Sequence, residues 1–152
     1  MQRPRGLTRI LARMPIWLYR LHLGWILDGR FLLLTHVGRK SGLPRQVVLE
    51  VVKHDPATGV VYVASGFGRR SDWFRNILKT PEVTVQMGNR RWKAVAQVLP
   101  QEEAAEILAE YAREHPKAAR SLARLLGYPA DGSPDSFRAL AKEVPIVALR
   151  PR

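Results

Sequence analysis

Residues 35 to 48, THVGRKSGLPRQVV, crowd cations, a hydroxyl and two glycines into one turn between apolar runs. Gly38 and Gly42 permit a tight bend whose amides face outward, and such a bend makes a concavity for an anion. Arg39 and Lys40 add charge, Ser41 adds a donor, and Arg45 opens the following run beside them. A charge-assisted hydrogen bond to a phosphate oxygen contributes about 1.5–3 kcal/mol, so four such donors suffice for a micromolar grip.

Other arrangements that could carry chemistry fail on their surroundings. Lys40-Ser41 ends like a phosphate-binding P-loop, but Arg39 stands where that motif needs glycine, and a strand pattern follows instead of a helix. Gly66-Phe67-Gly68 begins a dinucleotide fingerprint that Ser71 breaks, with no βαβ unit around it. His22, His36, His54 and His115 have no metal-ligand spacing, and the chain has no cysteine. They read as exposed or singly bonded histidines, and no metal site is expected. Ser65 lacks the strand-to-helix elbow of a hydrolase nucleophile.

The elements that must position the turn follow from periodicity. FLLLTHV and RQVVLEVV are β-rich runs joined by GRKSGLP, VVYVAS is a third strand, and EVTVQMG and RWKAVAQVL flank Gly88-Asn89 as a second hairpin. Between them DWFRNILKT reads as a short helix capped at Ser71 or Asp72 and stopped by Pro81. QEEAAEILAEYAREH is a helix with acids in its first turn, closed by Pro116, and KAARSLARLLG is a second, ended by Gly127. After a loop, YPADGSPDS, a short helix around Phe137 to Lys142 and a last strand, VPIVALR, complete the chain. Strands first, helices between and after, and no βαβ rhythm define an α+β fold with a mostly antiparallel sheet or barrel.

At 152 residues the chain is expected to be one domain, residues 1 to 27 forming an N-terminal segment and 28 to 152 the barrel and its helices. The formal charge is +12, and residues 1 to 45 hold nine Lys/Arg against one acid, Asp28. Such a face draws anions: nucleic acid, lipid headgroups or a phosphorylated cofactor. Nucleic acid is set aside, since aromatic residues do not interleave with the basic ones in GRKSG and no binding motif matches. Residues 6 to 27 form a cationic amphipathic pattern interrupted at Pro15, too broken by arginine to span a membrane. It reads either as a helix packed on the domain or as one lying in the headgroup layer with Trp17 and Trp25 at the interface. Absence of cysteine permits a reducing compartment, and the expectation is a cytoplasmic protein, at most touching the inner face of the membrane.

LLLTHVGRKSGLPRQVVLEVV, VYVASGFGRRSDWFRNILKTPEVTVQMGNRRWKAVAQVL and the closing VPIVAL together resemble the deazaflavin-dependent nitroreductase family. The likeness covers roughly residues 31 to 105 and the last strand, with four motifs in the family's order. It implies the split β-barrel of flavin-binding oxidoreductases and a coenzyme, F-420, with FMN the less favoured occupant. Its tail of phosphate and γ-linked glutamates suits a cationic turn. By the same resemblance Arg39, Lys40, Ser41, Gly42 and Arg45 would hold phosphate and tail. Ala64, Ser65 and Gly66 would line the deazaflavin ring, the Ser65 hydroxyl serving as the catalytic group at its polar edge. Trp73 and Asn76 would pack and bond nearby. The implied reaction is hydride transfer to an electron-poor acceptor, for which the protein aligns the partners and steadies developing negative charge.

The sequence departs from the nitroimidazole-reducing branch, where tyrosines surround the substrate. His115, Ala118 and Ser121 stand in those places, and Tyr111 and His115 are the candidate substrate contacts. A quinone-like or other apolar acceptor is therefore favoured. GFGRR also departs, leaving Arg69 and Arg70 as extensions of the anion path. The competing reading is a non-catalytic carrier of flavin, pigment or lipid on the same barrel. A homodimer is the expected assembly, from the habit of split barrels.

Overall fold

Strand β1 (Phe31–Val37) sets Leu32, Leu34 and His36 in phase, all three buried, because alternate side chains on a strand share a face. The computed structural model describes residues 31–152, so the expected amphipathic helix over 6 to 27 and its membrane contact lie outside the described residues. Five further strands, β2 (Pro44–Asp55), β3 (Val60–Ala64), β4 (Glu82–Met87), β5 (Arg90–Val98) and β6 (Ile146–Pro151), close with β1 into an antiparallel barrel of order β1-β2-β3-β6-β5-β4. This is the expected α+β split barrel, and closure leaves no strand edge open.

Alternation divides the core in two. Leu34, Val51, Val63, Val85, Ala96 and Leu149 fill the barrel's interior, with Trp73, Phe74 and Ile77 of helix α1 (Asp72–Lys79) packed against them. The opposite faces of β3 and β6 carry Val60, Ile146 and Ala148, which pack against helices α2 (Gln101–Glu114), α3 (Pro116–Leu126) and α4 (Pro134–Ala139). Each fully buried aliphatic or aromatic side chain contributes about 1.5–3 kcal/mol, so the outer helices are held by the same force that fills the barrel.

Local chemistry explains where the elements differ from expectation. Pro116 does not simply close α2; it starts α3, since a proline at the first helical position gives up an amide that has no partner there anyway. Gly127 ends α3 at φ 76°, and its N–H meets the carbonyl of Arg124. Helix α4 begins earlier than expected, at Pro134, because Ser133 accepts from the Ser136 amide and caps it. At α1 the cap residue is Ser71, as expected, but its side chain makes no capping bond. Among the described residues no helix is long and apolar enough to cross a membrane.

Candidate active site

A cavity of about 830 Å³ runs between the outside of β2 and β3, the start of α1, and helices α2 to α4. Its two ends differ in chemistry. One is the β1–β2 turn with Arg39, Lys40, Ser41 and Arg45; the other is walled by Leu108, Leu122, Leu126, Phe137 and Val144.

The turn is built by its own backbone. Gly38 N–H donates to the Leu43 carbonyl and Gly42 N–H to the Gly38 carbonyl, both at 2.8 Å, and Gly42 sits at φ 72°. An added Cβ at Gly38 would lie 2.6 Å from Ser41 Oγ and displace that hydroxyl, while Gly42 is required by its left-handed backbone. Leu43 N–H donates to Ser41 Oγ at 3.1 Å, which leaves the Ser41 hydroxyl hydrogen to donate elsewhere.

Helix α1 anchors the turn from below. Asn76, 3% exposed, accepts at Oδ1 from the Arg39 amide at 3.0 Å and from Arg39 Nη1 at 2.9 Å. Arg39 Nη2 meets Asp72 Oδ1 at 3.3 Å, and Lys79 Nζ donates to the Arg39 carbonyl at 2.9 Å. Asn76 Nδ2 lies 3.0 Å from Nδ1 of the buried His36. Burial first, then the Arg45 guanidinium across the ladder, hold the His36 ring down to about 4, against an opposing pull from Asp72. The ring is therefore neutral at pH 7.

At the far end Tyr111 donates its hydroxyl hydrogen to Glu50 Oε1 at 2.7 Å, joining α2 to β2. Tyr128 donates to the Gly66 carbonyl at 2.8 Å, and burial, then Glu143, raise its pKa and keep the phenol protonated. An added Cβ on Gly66 would stand 2.9 Å from Leu126 Cδ1, so α3 roofs the Ala64 to Gly66 segment in close contact.

Of the residues expected from sequence, Arg39, Lys40, Ser41, Arg45, Ala64, Gly66, Trp73, Asn76 and Tyr111 all line this cavity. Three do not, and each has a physical reason. Gly42 spends its amide inside the turn. Ser65 is wholly buried, its hydroxyl donating to the Gly68 carbonyl at 2.5 Å and its N–H to the Pro145 carbonyl, so the catalytic hydroxyl expected there is spent on the loop. His115 is exposed at the end of α2, its ring 5.3 Å from that of Tyr111. Arg69 and Arg70 lie outside the cavity as well, Arg69 bonding the Lys142 carbonyl. Sequence reasoning missed His36, Glu50, Asp72, Lys79 and Tyr128. Only His36 left a signal, its phase with Leu32 and Leu34. Among the described residues no cluster of metal-ligating side chains exists.

The profile of the F420H(2)-dependent quinone reductase family matches residues 13–124. The chain belongs to that family, and it is an F-420-dependent reductase. Solved structures share the fold. A structure described as F420-H2 Dependent Reductase (FDR-A) aligns at TM-score 0.56 and 22% identity, over 82% of this chain and 96% of that one. Another, described as a domain-swapped dimer, aligns at 0.57 and 22%, over 86% and 84%. A conserved hypothetical protein, Rv2991 of Mycobacterium tuberculosis, aligns at 0.55 and 15%, over 97% and 86%. The family's coenzyme is F-420, and the residues present fit such a molecule: donors at one end of the cavity for an anionic tail, and apolar walls at the other for a flat ring system.

Proposed function

We propose that this chain reduces a quinone-like acceptor with reduced F-420, the coenzyme's phosphate on the β1–β2 turn and the acceptor under helix α3. The carrying observation is one continuous cavity with a cationic turn at one end and an apolar wall at the other. When bound, reduced F-420 supplies a hydride; a quinone that accepts it also takes up one proton and becomes a hydroquinone.

Lys40, Ser41 and Arg45 hold the phosphate, while Arg39, already bonded to Asn76 and Asp72, keeps the turn in place and gives its remaining N–H groups to the tail. Ala64, Gly66 and Trp73 form the surface against which the ring lies. Leu108, Leu122, Leu126 and Phe137 exclude water from the space beside it, where an apolar acceptor is held in contact. Tyr111, its hydroxyl hydrogen held by Glu50, presents its ring to that space and sets where the acceptor can lie. A quinone is favoured over a nitro compound because Leu108, Leu122, Leu126 and Phe137 are apolar and α3 carries Ala118 and Ser121 and no tyrosine.

Oxidation of reduced F-420, followed by its absorbance with a short-chain naphthoquinone and with a nitroimidazole, tests the reading: faster turnover with the quinone supports it, and turnover of the nitro compound alone overturns it. A second copy of the chain is the proposed partner, on the ground of the relative described as a domain-swapped dimer. Light scattering at twice the chain mass supports that assembly, and the single mass refutes it.

A further inference from the structure

We propose that His36 is a positioning residue for the anion-binding turn, acting on Arg39 through the side-chain amide of Asn76. The inference rests on reading the turn as the coenzyme's phosphate site. Three side chains on three elements form one directed chain: Arg39 in the turn, Asn76 on α1, His36 on β1.

Its polarity follows from donor and acceptor chemistry. A guanidinium and a backbone amide only donate, so the Asn76 oxygen must face Arg39 and its NH2 must face His36. That NH2 also only donates, so His36 Nδ1 carries a lone pair and the ring proton sits on Nε2. Turning the Asn76 amide over would set its NH2 against two Arg39 donors and its oxygen against the Nδ1 lone pair. Both halves of the contact therefore enforce one orientation, and His36 supplies the half away from the ligand.

Burial and the nearby cation Arg45 favour the neutral form, against the opposing pull of Asp72. Arg45 stands opposite His36 in the β1–β2 register, and Asp72, itself bonded by Arg39, is the carboxylate contributed by α1. On the β4 side the ladder sets Thr84 against Thr35. A protonated ring would present N–H to N–H at Asn76, releasing the amide and with it two of Arg39's bonds. Asn76 would then no longer hold the turn on α1.

The test is fluorescence titration of F-420 into wild type, H36Q, H36L, R39A and the double variant H36L/R39A, with folding checked by thermal unfolding. Gln offers Oε1 to the Asn76 NH2 and has no titrating proton, whereas Leu offers no acceptor. H36L is expected to weaken F-420 binding about tenfold, from one buried donor left without a partner. H36Q should restore affinity to within about threefold of wild type, and on the R39A background, where only the backbone N–H of residue 39 still reaches Asn76, H36L should cost clearly less than it does in wild type. Equal losses in H36Q and H36L, or an undiminished H36L effect without Arg39, would overturn the proposal in favour of simple packing. Should H36L not fold, 15N spectra of the wild-type imidazole at pH 7 decide: an Nε2–H tautomer supports the chain of bonds and an Nδ1–H tautomer refutes it. The two readings fail separately. R39A and K40A both binding F-420 with full affinity removes the phosphate site itself, while weakened R39A beside an unaffected H36L removes only the role of His36.

Discussion

Tyr111 and Glu50 meet at 2.7 Å across the gap between helix α2 and the outside of strand β2, so a hydrogen bond between two cavity-lining side chains ties the helical layer to the barrel. Tyr111 also stacks on Phe137 of α4, with ring centroids 6.2 Å apart and planes at 28°. The residue thus belongs to the outer core and to the site at once. Tyr111→Phe keeps the stacking and removes the donor. It should lower kcat/KM for a quinone about tenfold, cost about 1 kcal/mol of stability in denaturant titration, and leave the F-420 dissociation constant within twofold.

The turn's free donors set the affinity for the anionic tail. Lys40→Ala should weaken F-420 binding by about tenfold at low salt, the equivalent of a lost charge-assisted bond, with no change in thermal stability because Lys40 is exposed. The loss should shrink as salt rises, since an exposed charge is screened over about 8 Å at physiological ionic strength. Fluorescence titration at two salt concentrations measures both effects.

His36 makes stability depend on pH. Its folded value of about 4 lies below the ordinary 6.5, so between these values the unfolded chain takes up a proton that the native ring refuses. Stability should therefore fall as pH drops from about 6.5 towards 4, and hold level above that window as far as this ring is concerned. The span corresponds to at most about 3 kcal/mol. Urea titrations at pH 7 and 4.5 should show this slope in wild type and a shallower one in H36Q.

Contact between Gly66 and Leu126 is a direct test of the α3 roof. Gly66→Ala places a methyl 2.9 Å from Leu126 Cδ1, and overpacking of this kind costs about 1–3 kcal/mol where the neighbour cannot give way. Combined with Leu126→Ala, the glycine substitution should add almost nothing to the loss caused by the leucine alone. Additive losses in the double variant would mean that α3 does not press on this segment.

Much of this architecture was legible before any coordinates. The two hairpins, the αL glycine after Leu126 and the acidic start of α2 are local signals, and local physics decides them. The cationic turn was legible for the same reason, since glycine spacing and charge sit within a few residues. What could not be read is what the turn rests on. Arg39 is 37 residues from Asn76 and the Tyr111–Glu50 pair spans 61, so only barrel closure brings them together. The burial of Ser65 was illegible for a related reason: its acceptor, the Gly68 carbonyl, comes within reach only when the loop folds back on itself. His36 lay in plain phase with two interior leucines, yet its partner on α1 had no sequence signature.

The central claim is that the β1–β2 turn holds the phosphorylated end of F-420. A crystal structure of the chain with F-420 bound is its most direct test. The expected density places the phosphate within about 3 Å of Lys40, the Ser41 hydroxyl and Arg45, with the ring against Gly66 and Trp73. Phosphate density away from the turn, with Lys40 and Arg45 facing solvent, would contradict it.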